Sequence, residues 1–200
     1  FDLERIAAVI RAVEPDWVAL QEIDRGVRRT QGVDMPAELA RLTGLHAVFG
    51  DNIDFQGGRY GNLALVRTPP ERVVNHPLPS HYAGEQRGLL ELGWSTPGGE
   101  RRFFVTHWDY RGGYDGERQA SVEFLREKLG AGEGSKASVA SEELVVLAGD
   151  LNALPDAAVI ARLDEFLAPA HGEEPRATYP AAAPERMIDY VWFAPTAGAW

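Results

Sequence analysis

Residues 2–13 carry an amphipathic pattern that runs almost directly into Asp16-Trp-Val-Ala-Leu-Gln-Glu-Ile23, a nearly continuous apolar segment. In the first stretch Leu3, Ile6, Val9, Ile10 and Val13 recur at helical spacing, Asp2 can cap the start, and Pro15 lies just past the end. The second stretch shows no polar alternation, so it suits a strand covered on both faces. A helix leading into such a strand restricts the chain to an α/β architecture, because each face of the strand needs its own apolar layer.

Further along, Pro36 to Leu42 reads as a second helix stopped at Gly44. His46 to Gly50, Asn62 to Arg67, Gly88 to Trp94 and Arg102 to Trp108 read as strands separated by Gly, Pro and Asn turns. Strands that follow one another without helices favour antiparallel pairing. Val122, Leu125 and Leu129 mark a helix over Asp115 to Leu129, followed by a mobile loop from Gly130 to Ser138. Leu144 to Ala148 is a short aliphatic strand, Asp156 to Phe166 a helix capped by Asp156, and Met187 to Phe193 a final strand. Local hairpins mixed with helix crossovers predict an α/β (α+β) fold, with two packed sheets, mixed and largely antiparallel, between outer helices.

At 200 residues and 44% hydrophobic content the expectation is one domain, and a monomer. No apolar run approaches the roughly 20 residues of a membrane span. The absence of cysteine excludes disulfides, thiolate metal sites and a cysteine nucleophile, so any metal must sit on oxygen or imidazole. A net charge of -10 argues against long-range attraction to a polyanion such as duplex DNA. Arg25, Arg28 and Arg29, or the pair Arg101-Arg102, could form a local basic patch or simply solvated charges. The chain opens at Phe1, so neither a leader nor a compartment can be read from it.

Chemistry concentrates where apolar runs meet polar residues. Glu22 stands near the end of the first strand, where a buried carboxylate costs several kcal/mol (roughly) unless it is paired or bound to a cation. It suits a hard metal ion, or an ion pair with an arginine such as Arg25. Leu147-Ala-Gly-Asp-Leu-Asn152 delivers Asp150 and Asn152 to a strand terminus, with Gly149 allowing close backbone approach; Asp-x-Asn can equally form a turn that caps the next helix. His107 ends Arg102-Phe-Phe-Val-Thr-His107 and, taken alone, is equally a hydrogen-bonded structural imidazole. Asp189 breaks Met187-Ile-Asp-Tyr-Val-Trp-Phe193, either as a site acid or as a partner for Arg186. An acid, an imidazole, an acid with an amide, and a further acid on four β-runs could meet at one sheet edge, as metal-assisted phosphoryl transfer requires.

Leu20-Gln-Glu22, Tyr60-Gly-Asn62, Arg87-Gly88, Thr106-His107, Gly149-Asp-Leu-Asn152 and Ile188-Asp-Tyr190, in that order, resemble the endonuclease/exonuclease/phosphatase superfamily. The resemblance spans nearly the whole chain and implies a four-layer α/β/β/α sandwich and a divalent-metal-dependent hydrolase of phosphoester bonds. It implies that Glu22 is a ligand of Mg²⁺, with Mn²⁺ a possible substitute, and that Asp150 and Asn152 align the attacking water and the phosphate. It further implies that His107 contacts the scissile phosphoryl oxygen, that Asn62 adds a phosphate contact unless it is a hairpin-turn residue, and that Asp189 orients a catalytic histidine. The family's closing Ser-Asp-His motif and its first strand, with an asparagine, are not found here; the expected domain, residues 1–200, would lack the first strand and the last strand or strands. Trp108 stands where the family has a smaller residue and is expected in the core, while Tyr110 either lines the substrate cleft or lies on the surface.

For the substrate, the acidic balance favours a phosphorylated small molecule, or a lipid or inositol head group, as a phosphodiester or phosphomonoester. A DNA or RNA nuclease and a noncatalytic binding relative remain the alternatives.

Overall fold

The computed structural model describes residues 2–82, 84–132, 143–171 and 176–194. Two antiparallel hairpin systems supply most of the scaffold. One sheet has the order β1-β3-β2, from β1 (Trp17–Arg25), β2 (His46–Phe55) and β3 (Gly58–Val66). The other runs β4-β5-β6-β7-β9-β8, from β4 (Arg72–Pro77), β5 (Gly88–Thr96), β6 (Gly99–His107), β7 (Leu144–Asp150), β8 (Ala168–Pro169) and β9 (Asp189–Phe193). All their pairings are antiparallel except β6 with β7. Helices α1 (Leu3–Val13) and α2 (Met35–Thr43) belong to the first sheet's side, and α3 (Asp115–Lys128) and α4 (Ala158–Asp164) to the second's.

Period-two alternation along the strands divides the apolar residues into three layers. Leu63 and Leu65 pack outward with Ile10, Met35 and Leu39 of the helices. Ala64 and Val66 turn inward, where they meet Leu90, Leu92, Phe103, Val105, Val146 and Ala148 between the sheets. Leu89, Phe104, Val145 and Leu147 face the other way, onto Val122, Leu125, Ile160, Leu163 and Phe166. This is the four-layer sandwich, with Trp17 stacked between Trp94 and Phe103 at ring separations of 5.1 Å.

Asp2 caps α1 by accepting from the Arg5 amide at 2.9 Å, as its position suggested. The buried stripe of α1 is turned from the expected one: Ala7 and Ile10 are buried, whereas Val9 and Val13 are exposed. Asp156 does not cap α4. The Ala157 amide closes a turn on the Leu154 carbonyl, so the helix starts at Ala158 without a side-chain cap. The loop anticipated from Gly130 to Ser138 lies, from 133 onward, outside the described residues. Strand β4 carries Asn75, His76 and Pro77 and has too little apolar pattern to be read as a strand; it forms by pairing with β5 at the sheet edge.

The first sheet is narrower than the second. Beside β1 an apolar groove of about 1030 Å³ therefore opens over the inner face of β7 and β9, bordered by Val9, Val13, Trp17, Val146, Val191 and Phe193.

Candidate active site

Three strand ends meet in register at one edge of the larger sheet. His107 of β6 lies opposite Asp150 of β7, and Asp150 opposite Asp189 of β9. The ladder continues one step beyond the strands: the Trp108 amide donates to the Asp150 carbonyl and the Leu151 amide to the Ile188 carbonyl, both at 2.9 Å. Gly149 is what lets β7 come this close. A Cβ there would sit 2.1 Å from the Thr106 carbonyl oxygen. Gly149→Ala is accordingly expected to destabilise the protein by about 1–3 kcal/mol through backbone displacement, with a matching loss of activity; chemical denaturation compared with the unaltered chain measures it, and an unchanged midpoint would contradict the packing.

Burial dominates the electrostatics. It pushes the Asp150 carboxyl up to about 6 against the hydrogen bond from the Asn152 amide, with the negative charges of Asp189 and Glu22 adding to the rise. It pulls His107 down to about 3, assisted by the cation of Arg87. His107 Nε2 lies 3.8 Å from Asp150 Oδ2, an ion-pair distance. A neutral imidazole forms no ion pair, however, so the two are neighbours at slightly more than hydrogen-bond range. The turn expected as the alternative reading of Asp-x-Asn is present: the Asn152 amide donates to Asp150 Oδ1 at 2.8 Å, with Asn152 in the left-handed region at φ 49°. The turn aims the carboxylate and does not compete with a site role. Asn152 Nδ2 donates to the Trp108 carbonyl at 3.0 Å.

Glu22 reaches the surface because β1 slips register between Leu20 and Ile23, and Glu22 itself adopts φ 59°. The arginine pairing considered for it goes elsewhere. Arg25 turns to Asp51 at 3.4 Å, and Arg29 clamps the buried Asp24 through two hydrogen bonds of 2.8 and 2.9 Å. Glu22 forms no ion pair among the described residues, yet its charge is felt at Asp150 and at Tyr60, whose hydroxyl is also raised, chiefly by burial. The charge that raises Asp150 is one a bound cation offsets. No group of three or more His, Asp or Glu residues is close enough to enclose an ion among the described residues. Mg²⁺ characteristically binds through one or two carboxylates and keeps several waters, and the chemistry of the Glu22 carboxylate is compatible with that mode.

The remaining candidates divide. Asn62 is not in a turn; it is buried in β3 and donates from Nδ2 to the Gly88 carbonyl at 3.0 Å. Asp189 holds no arginine among the described residues, and Arg186 instead stacks on Tyr179. Its backbone amide donates to Thr178 Oγ1 at 3.3 Å. Trp108 is buried in the core, while Tyr110 is 65% exposed, its ring 6.0 Å from the Arg87 guanidinium. The loop carrying Tyr110 is anchored by buried Asp109, which accepts from Tyr82 and Arg111. Gly149 and Asp189 touch the end of the apolar groove, but Glu22, His107 and Asp150 do not border it, so the groove and the polar site are separate features. Arg87, noticed in the sequence only as a motif marker, lies buried against His107. A charged residue immediately before an apolar strand was the signal that could have identified it.

The sequence matches the family model described as "Endonuclease/Exonuclease/phosphatase family" over residues 1–199. Among curated proteins no sequence matches significantly. Solved structures similar to this chain include truncated TDP2 from Caenorhabditis elegans, 19% identical, with a TM-score of 0.67 over 96% of this chain and 75% of that one. Against another TDP2 structure from C. elegans, the match covers 96% of this chain but only 58% of that one. An endonuclease/exonuclease/phosphatase from Bacteroides vulgatus is 15% identical, with a TM-score of 0.71 over 96% of this chain and 78% of that one. A mannosyl-6-phosphatase from Bacteroides thetaiotaomicron is 17% identical, with a TM-score of 0.69 over 96% and 76%. At these identities the likeness is one of fold.

Proposed function

Because the chain belongs to the endonuclease/exonuclease/phosphatase family, whose members are hydrolases acting on phosphoester bonds, we propose that it hydrolyses a small phosphodiester or phosphomonoester, such as a lipid or inositol head group, in a reaction that depends on a divalent cation. The observation that carries this reading is the alignment of His107, Asp150 and Asp189 on adjacent strand ends, with Glu22 close enough for its charge to act on Asp150.

Glu22 would hold Mg²⁺ or Mn²⁺, whose charge, when bound, offsets that of the phosphoryl oxygens. Asp150, ionised near neutral pH and partly buried, orients the attacking water and takes its proton as the new oxygen–phosphorus bond forms opposite the departing oxygen. His107, neutral, donates a hydrogen bond to a phosphoryl oxygen as charge accumulates there. Asn152, with its backbone fixed by the turn, stands beside both, and Asp189 supports Asp150 from β9. Asn62 contributes from beneath through the Gly88 carbonyl, and Tyr110 forms an exposed wall for the substrate. A nucleic acid is the less favoured substrate: the chain carries a net charge of -10, and Arg25 and Arg29 of the basic cluster are already engaged by Asp51 and Asp24.

Hydrolysis of bis-p-nitrophenyl phosphate or p-nitrophenyl phosphate is expected with Mg²⁺ or Mn²⁺ and not with excess chelator. Glu22→Gln should raise the metal concentration for half-maximal rate by at least about 10-fold. Metal-independent turnover, or an unchanged metal requirement in the variant, would remove Glu22 from its role. No turnover on monoesters, diesters, phosphoinositides or plasmid DNA would overturn the enzymatic reading in favour of a binding relative.

A further inference from the structure

The two ring nitrogens of His107 face partners of opposite character. Nδ1 lies 2.9 Å from Nη1 of Arg87, and Nε2 looks toward Asp150 Oδ2 at 3.8 Å. A guanidinium has only N–H donors and does not lose its proton in a protein, so a hydrogen bond to it requires Nδ1 to be the acceptor. The ring proton must then sit on Nε2. A doubly protonated ring would instead point an N–H at the cation in a site where both residues are almost fully buried.

Arg87 is held ready for this contact. Glu85 Oε1 lies 2.9 Å from the same Nη1, although not aligned for a hydrogen bond. Its backbone is tied down on both sides: the Leu78 amide and Gln86 Nε2 donate to the Arg87 carbonyl at 2.9 and 2.8 Å, and Gln86 Nε2 also reaches the Leu78 carbonyl at 2.7 Å. The next carbonyl, of Gly88, accepts from Asn62 Nδ2 and from Thr106 Oγ1, the residue preceding His107. The arginine and the imidazole are thereby fastened to the same short piece of backbone.

We propose that Arg87 is a positioning residue that locks His107 in the neutral tautomer with its proton on Nε2, making His107 a fixed hydrogen-bond donor at the site. With Nε2 already protonated and Nδ1 occupied, His107 cannot take the proton of an attacking water; that task falls to a carboxylate. The consequence for turnover rests on the phosphoester-hydrolase reading above, whereas the tautomer does not.

The experiment uses the whole ¹⁵N-labelled chain. Long-range ¹H–¹⁵N correlation at about pH 7 reads the protonation pattern of the imidazoles, with His107→Gln identifying the His107 signals. The expected result is an unprotonated Nδ1 and a protonated Nε2. In Arg87→Met the pattern should change to mixed tautomers or the charged form, and kcat should fall by about 10- to 100-fold with KM little changed. Arg87→Lys, which keeps a cationic donor, should retain the tautomer and recover much of the rate. A proton on Nδ1 or a charged ring in the unaltered protein would overturn the proposal, as would an unchanged pattern in Arg87→Met. If that variant does not fold, the unaltered protein and Arg87→Lys decide the matter by their spectra. Absence of hydrolysis on every ester would overturn the hydrolase reading while the spectra still test the lock.

Discussion

Asp150→Asn is expected to lower kcat by about 100- to 1000-fold while raising the melting temperature of the metal-free protein. The two effects have one origin. The folded protein holds the Asp150 carboxyl near 6, above the ordinary range, because the ionised form is buried beside Asp189 and Glu22. Between about pH 4 and pH 6 the folded state therefore binds the proton more tightly than the unfolded chain. The group's contribution is most favourable below the unfolded value and is lost as pH rises through 6. At about pH 7 the loss amounts to roughly 3 kcal/mol at most, since the side chain keeps 21% of its exposure. Asparagine removes the charge and keeps the shape, which corresponds to a gain of roughly 5–10 °C for a chain of this size. Thermal melts in chelator at about pH 7 and pH 4 measure the effect, and the gap between variant and parent should narrow at the lower pH. A variant that melts below its parent at neutral pH, or that turns over normally, would contradict the assignment.

Glu91→Ala should do the reverse, destabilising the fold by about 3 kcal/mol without touching the site. Glu91 is 4% exposed in the middle of β5, where Arg72 Nη2 and His76 Nε2 approach at 2.7 and 2.8 Å and Arg102 Nη1 stands at 4.0 Å. Burial alone would raise its carboxyl, but the hydrogen bonds from His76 and Arg72 outweigh it and bring the group below its ordinary value. Its stabilising contribution is accordingly present above the unfolded value, about pH 4.3, and lost as pH falls through the lower folded one. Truncation leaves the facing cations without their acceptor. The cost stays near the lower end of the range for broken buried pairs because the Arg72 side chain is half exposed and can turn to water. A drop of roughly 5–10 °C in melting temperature, with kcat per folded molecule unchanged at lower temperature, is the expected outcome. A melting temperature within a degree or so of the parent would show that the network contributes nothing.

Glu91 also marks the boundary of what sequence reading can resolve. It interrupts Gly88-Leu-Leu-Glu-Leu-Gly-Trp94 much as Glu22 interrupts the first strand, and the two patterns look alike in one dimension. Only the fold separates them: Glu91 is enclosed by cations, whereas Glu22 is turned outward by a bulge and forms no ion pair among the described residues. The layer structure was legible because alternation and helical spacing act within a few residues, as in Leu63 to Val66 and in Val122 and Leu125 of α3. The register slip in β1 was not, since it depends on how Tyr60 and Gly61 of β3 meet the strand. Likewise the hairpin-turn alternative left open for Asn62 does not hold, because β3 begins at Gly58 and carries it inside. The contact of Arg87 was not legible for a related reason: its partner is 20 residues away, on the strand beside the one it introduces.

The β6–β7 pairing, parallel where its neighbours are antiparallel, has a further consequence for how the chain acquires its site. A hairpin such as β5–β6 closes with a short turn, but His107 and Asp150 become neighbours only after roughly 40 intervening residues, α3 included, have been drawn into a loop. The entropy lost in that closure is recovered only when β7 docks between β6 and β9. The contact that assembles the chemistry is therefore less local than the β5–β6 hairpin contacts beside it, and its closure costs more chain entropy than theirs. Until then the β5–β6 hairpin can present its imidazole, but there is no acid opposite it.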